Sequence, residues 1–197
     1  MNYDKELSKL IENLDHIPRL LLHTCCAPCS SAVITRLMEY FDITVIYYNP
    51  NIEPFVEYLK RKDEQKRFLK EIKSPNKLDF IDADYENDIF HNLVKNNEKD
   101  PERGPRCHIC YRQRIEYTFK KAKELGYEYF GTTLSVSPYK VSSWINEIGL
   151  SLQDDGTKFL VADFKKQNGY KRSIELSKEY NLYRQEYCGC IYSKKEK

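Results

Sequence analysis

The chain has 197 residues, 41% hydrophobic and 31% charged, the composition of a globular protein that can bury one good core. A net charge of +2 gives no bulk electrostatic case for nucleic acid, so such a partner would have to be met by local patches. No window approaches the roughly 18 apolar residues needed to cross a membrane. The N-terminus lacks a signal peptide's apolar core, so the chain is expected to be cytoplasmic, with reduced cysteines.

The opening MNYDKELSKLIENLDH is charged and helix-like. Arg19–His23 (RLLLH) is a nearly continuous apolar run, as a buried parallel strand would be. Three cysteines follow it, then a helix with Ile34, Leu37, Met38 and Phe41 on one face. Ile43–Tyr48 reads as a second strand, and NPNIEP turns into a charged helix from Glu53 to Ile72. Leu78–Asp82 is a third strand and Tyr85–Asn96 a helix.

The polar loop NNEKDPERGPR delivers Cys107-His-Ile-Cys110 onto a helix, where Tyr111, Ile115, Phe119 and Ala122 share a face and Gly126 is the stop. Glu128–Thr132 is a fourth strand and SVSPYK a loop. Val141–Ile148 is expected to be helical up to Gly149, with Phe159–Val161 a last strand and Ser173–Tyr180 a last helix. The alternation predicts one α/β domain over 1–197, a parallel sheet with flanking helices. Sites in such sheets gather beyond the carboxyl ends of strands. That is where Cys25, Cys26 and Cys29 fall.

Basic residues bunch at Lys60-Arg61-Lys62, Lys66-Arg67, Lys120-Lys121, Lys165-Lys166, Lys171-Arg172 and the tail Lys194-Lys195-Lys197, a pattern most simply read as solvated helix faces. The cysteines are more informative. All seven lie in clusters, Cys25, Cys26 and Cys29, then Cys107 and Cys110, then Cys188 and Cys190. Core cysteines scatter singly; these do not. Adjacent Cα atoms sit about 3.8 Å apart, too close for an ordinary disulfide, so the stretch HTCCAPCSS asks for a metal or a redox reaction.

Two CxxC pairs near helix starts favour thiolates. Structural zinc uses four ligands and leaves three cysteines over. Dithiol exchange needs one CxxC. A four-iron cluster uses up to four thiolates, with three left for another iron or for exchange. Cys25 and Cys26, being adjacent, are expected to feed two neighbouring centres or two edges of one. Gly189 between Cys188 and Cys190 would help both sulfurs converge, or is a simple turn glycine. Neither a GxGxxG nor a Walker-type loop is present.

Five ordered segments, LLLHTCCAPCS, YYNPNIEPFVEY, CHICYRQRIEYT, TTLSVSPYK and LYRQEYCGCIYS, resemble the cobalamin-independent epoxyqueuosine reductases of the QueH type and together span nearly the whole chain. The resemblance implies a HUP-like, Rossmann-related fold and a [4Fe–4S] cluster beside a mononuclear iron, held by Cys25, Cys26, Cys29, Cys107, Cys110, Cys188 and Cys190. In this family the third position of the first motif can be aspartate; here it is Cys29. The implied reaction reduces the epoxide of epoxyqueuosine, at the wobble position of a tRNA anticodon, to the alkene of queuosine. An iron as Lewis acid and a cluster as electron relay suit that chemistry, and a ferredoxin- or flavodoxin-like electron donor is implied.

Asp84, Tyr111, Tyr139 and Tyr187 lie in or near the motifs as possible proton donors. Arg112, Arg114, Tyr139, Lys140 and Arg184 are expected substrate contacts, to tRNA phosphates or the unstacked base. Two alternatives remain. A zinc-stapled RNA-binding module would need no catalysis. A tRNA sulfur transferase would need an SGGxDS loop where this chain has TCCAPCSS.

Overall fold

A computed structural model describes residues 2–194; Lys195 and Lys197 of the basic tail lie outside them. Five parallel strands, β1 (Arg19–His23), β2 (Asp42–Tyr47), β3 (Leu78–Asp82), β4 (Tyr129–Thr132) and β5 (Lys158–Phe159), form one sheet in the order β3-β2-β1-β4-β5. This is the order of doubly wound sheets, which reverses direction at β1. The helices are α1 (Tyr3–Glu12), α2 (Ala27–Leu37), α3 (Phe55–Glu71), α4 (Asn87–Leu93), α5 (Pro105–Glu124), α6 (Ser142–Leu152) and α7 (Gly169–Glu179).

The period of two in β1 divides its leucines between two cores. Leu20 and Leu22 pack with Leu7 of α1, Val33, Ile34 and Leu37 of α2, Phe68 of α3 and Leu176 of α7. Leu21 faces the other way, onto Tyr111, Ile115 and Ala122 of α5 and Ile145 and Ile148 of α6. Loops leaving β1 and β4 therefore run to opposite faces, and a crevice opens between their carboxyl ends.

Most expected elements form, with six differences. The last strand is Lys158–Phe159, ending before Leu160 and Val161, and α2 ends at Leu37, short of Met38 and Phe41. The α4 segment is shorter than its apolar pattern and gives way to the loop before α5. The SVSPYK loop begins inside a single 3-10 turn, Thr133–Val136. The last helix starts earlier, at Gly169, behind left-handed Asn168. Gly149 does not stop α6: the helix runs through it to Leu152 because the missing side chain lets the Phe159 ring of β5 approach. Gly126 behaves as expected. Its φ of +68° closes α5, with the Tyr127 N–H donating to the Ala122 carbonyl and the Gly126 N–H to that of Lys123.

A Cβ on residue 149 would stand 2.3 Å from Phe159 ring atoms. Gly149→Ala is therefore expected to destabilise the fold by about 1–3 kcal/mol in urea unfolding, the ordinary cost of overpacking. A loss below about 0.5 kcal/mol would show that β5 yields freely.

Candidate metal centre

The first cluster sits where β1 becomes α2. Cys26 is the N-cap of α2, and Pro28 in the first turn removes a backbone donor where none is needed. This turn brings the sulfurs of Cys25, Cys26 and Cys29 within 4.8 Å of one another, the one such group of three metal-ligating side chains found among the described residues. The Cys25 and Cys26 sulfurs are 3.9 Å apart. A tetrahedral ion with metal–sulfur bonds of about 2.3 Å has ligand edges of about 3.8 Å, so one ion can bridge the adjacent pair. Adjacency alone does not divide these two cysteines between centres.

His23 fixes the strand ends beneath the thiols. Its Nε2–H donates to the Tyr48 carbonyl (3.0 Å), which leaves Nδ1 to accept from the Thr132 hydroxyl (2.9 Å). One fully buried ring thus laces β1 to the ends of β2 and β4, and burial lowers its pKa to about 4, so it stays neutral at pH 7.

The other four cysteines arrive from two directions. Arg106, 2% exposed, holds the carbonyls of Glu98 (2.7 Å) and Asn97 (3.4 Å) and shapes the loop that starts α5. Cys107 is in the first turn of α5, and Cys110 lies one turn on. Asn181, with φ +49°, turns the chain back after α7, and the tail then runs antiparallel along α3. The Tyr183 N–H donates to Glu64 (2.6 Å) and its hydroxyl to Glu57 (3.0 Å). Arg61, 1% exposed, pairs with Glu57 (2.6 Å) and donates to the carbonyls of Tyr187 and Cys188, both at 3.1 Å. The Glu53 N–H reaches the Gly189 carbonyl at 2.9 Å.

Gly189 is required where it stands. Its φ is +109°, and a Cβ there would meet Ile52 at 2.8 Å and the Arg61 guanidinium at 3.1 Å. Cys110 and Cys190 are buried against Phe90 and Val94, with Cys188 packed on the same cluster. Cys25 and Cys107 each pack against the core on the α5 and α6 side of the sheet. The seven thiols are all free, and only the first three close to ligand distance.

Charge is unevenly distributed over the sulfurs. Hydrogen bonds from Cys26 and then Cys29 hold the Cys25 thiol well below its ordinary pKa, against burial and with help from the Arg114 charge. The same bond to Cys25 pushes Cys26 up to about 12. Burial opposes ionisation of Cys188, yet the Lys140 ammonium, the Ser193 hydroxyl (2.9 Å) and the Cys190 N–H outweigh it and lower its pKa. Burial raises Cys110 and carries Cys190 to about 12. The first cluster and the last thus each hold one thiol biased towards thiolate, and metal binding would release the remaining protons. Gln185 Nε2 also donates to the Cys26 sulfur at 3.0 Å.

The other expected residues separate. Arg112 and Tyr139 are exposed. Arg114 is buried, with Nε donating to the Cys110 carbonyl (3.1 Å), so it is not on the surface where tRNA phosphates would be met. Lys140 is half-buried, its Nζ 5.7 Å from the Tyr111 ring centroid. Arg184 ties the tail to α7 through Ser177 (2.9 Å) and the Ser173 carbonyl (3.3 Å). Asp84 is exposed beyond β3, and the Tyr187 hydroxyl is spent on the Glu53 carbonyl.

Tyr111 is 1% exposed and its hydroxyl has no protein partner. Thr24 Oγ1, Asn49 Oδ1 and Thr133 Oγ1, just past the ends of β1, β2 and β4, are likewise buried and unpartnered. Orphaned polar atoms at this density suit a ligand site. Sequence reasoning passed over Arg61 by grouping it with Lys60 and Lys62. The signal was its spacing, since Tyr58, Arg61, Gln65 and Phe68 form one buried stripe of α3.

Fold and site define the class: a parallel α/β protein with a cysteine triad able to hold a metal ion at the strand-order reversal. The chain belongs to the family described as epoxyqueuosine reductase QueH, whose model matches residues 20–196. Among proteins of that name, those of Streptococcus pyogenes serotype M1 and Staphylococcus epidermidis are 42% and 41% identical, covering 99% and 98% of this chain and 79% and 84% of their own. That of Thermotoga maritima is 33% identical over 88% of this chain and 89% of its own.

Arg61→Leu leaves Glu57 with only the Tyr183 hydroxyl among these contacts and two carbonyls unbonded. It is expected to cost about 3 kcal/mol, as breaking a buried ion pair does, and to lower the metal retained per chain after anaerobic purification. Full metal content with a cost below about 1 kcal/mol would show that Arg61 does not hold the tail.

Proposed function

We propose that this chain, as a single α/β domain over 1–197, is an iron–sulfur-dependent oxidoreductase. In this reading it reduces the epoxide of epoxyqueuosine, at the wobble position of a tRNA anticodon, to the alkene of queuosine with loss of water. Two electrons and two protons balance that step. The observation that carries the reading is the triad of free thiols Cys25, Cys26 and Cys29 just past the carboxyl end of β1, with four more free cysteines, in a chain that belongs to the QueH family.

The donor set fits a [4Fe–4S] cluster with a mononuclear iron. Cys26 and Cys29 would hold one of these groups, and Cys107, Cys110, Cys188 and Cys190 would supply ligands to the other. Cys25, 3.9 Å from Cys26 and packed against the same core as Cys107, could serve either. When bound, these groups would supply electrons and a Lewis-acid iron.

The chain's own residues bind, orient and exclude water. His23 and Arg61 hold the ligand-bearing segments rigid. The unpartnered Tyr111 hydroxyl offers a hydrogen bond to a substrate oxygen, in a site whose burial strengthens it. Exposed Arg112 and Tyr139 are the residues left to meet the tRNA, one by charge and one by stacking. A ferredoxin- or flavodoxin-like partner would deliver the electrons in the cytoplasm; no described helix is long and apolar enough to cross a membrane. Nothing in the geometry favours the zinc-stapled module.

Nucleoside analysis of tRNA tests the proposal. A strain lacking this protein and any other such reductase should accumulate epoxyqueuosine, and the wild-type chain should restore queuosine while Cys26→Ser should not. Unchanged queuosine in the deleted strain would refute the assignment.

A further inference from the structure

Two cations enclose the thiols without carboxylate partners. Arg114 is 2% exposed, and its side chain's one hydrogen bond among the described residues runs from Nε to the Cys110 carbonyl. Its guanidinium carbon and the Lys140 Nζ lie 6.0 and 5.7 Å from the same Tyr111 ring centroid. Among the described residues neither side chain forms an ion pair, whereas buried Arg61 has Glu57. Removing an ammonium or guanidinium from water costs several kcal/mol unless an opposite charge compensates. The negative groups that act on these two are the sulfurs and the Tyr111 hydroxyl between them: Cys110, Cys25, Tyr111 and Cys188 on Arg114, and Cys188, Tyr111 and Cys110 on Lys140.

Building on the iron–sulfur reading, we infer that Arg114 and Lys140 are the counter-charges of the thiolate-bound metal centre and set its reduction potential. A cluster ligated by thiolates is anionic, and accepting an electron adds one more negative charge. A fixed cation in a poorly screened site stabilises the reduced form more than the oxidised one. The pair therefore raises the potential and makes the centre easier to reduce by its donor. This assigns Lys140 inward, to the metal centre, and leaves the surface to Arg112 and Tyr139.

An EPR-monitored redox titration of anaerobically prepared protein tests this, together with iron and acid-labile sulfide counts. Lys140 is half-buried on a connecting segment, so Lys140→Gln should fold and keep its iron and sulfide. Its midpoint potential should move to a more negative value. Lys140→Arg, which keeps the charge, should return close to wild type, and Arg114→Gln should shift the same way wherever it retains the cluster. A Lys140→Gln protein with full cluster content and an unmoved potential would overturn the inference while leaving the iron–sulfur reading intact. Wild-type protein with stoichiometric zinc and no labile sulfide would overturn both.

Discussion

The pairing of β1 between β2 and β4 is the constraint from which the site follows. Parallel strands need crossover connections, and because β2 and β4 lie on opposite sides of β1, the connections leave for opposite faces. The opening between them is lined by whatever the chain places directly after His23, and that is Thr24 and the three cysteines. His23 makes the opening rigid by bonding to the backbone after β2 and the side chain ending β4. A neutral, fully buried imidazole does this without placing a further charge beside the sulfurs.

Around that opening the chain buries more positive charge than it neutralises with carboxylates. Arg61 spends its charge on Glu57 and its remaining donors on the carbonyls of the CGC segment, so it works as a clamp. Arg114 and Lys140 have no carboxylate partner among the described residues and feel the charge of the sulfurs instead. The difference divides the work. One cation positions the last ligands by hydrogen bonds, and two prepare the electrostatics of whatever those ligands hold. Burial strengthens both effects, since screening by water is weak there.

Strands β1 and β3 match their apolar runs residue for residue, and the helix starts at Ala27 and Pro105, beside Cys26 and Cys107, follow from proline and cluster spacing. Such features are local, and periodicity carries them. Gly149 was misread because a glycine near the end of a pattern reads as a stop, whereas its role is set by Phe159, a partner ten residues on. The seven cysteines were legible as a set, but their arrangement depends on how the tail returns along α3, which no local pattern encodes. Arg114 and Lys140 read as surface cations for the same reason. Their burial is a property of packing between α5, the segment after β4 and the tail.

Anomalous diffraction at the iron edge, on anaerobically grown crystals, tests the central claim most directly. The account predicts iron within bonding distance of sulfurs from both groups, Cys26 and Cys29 on one side and Cys107, Cys110, Cys188 and Cys190 on the other. Iron absent from either group, or disulfides joining these cysteines in protein kept free of oxygen, would contradict it.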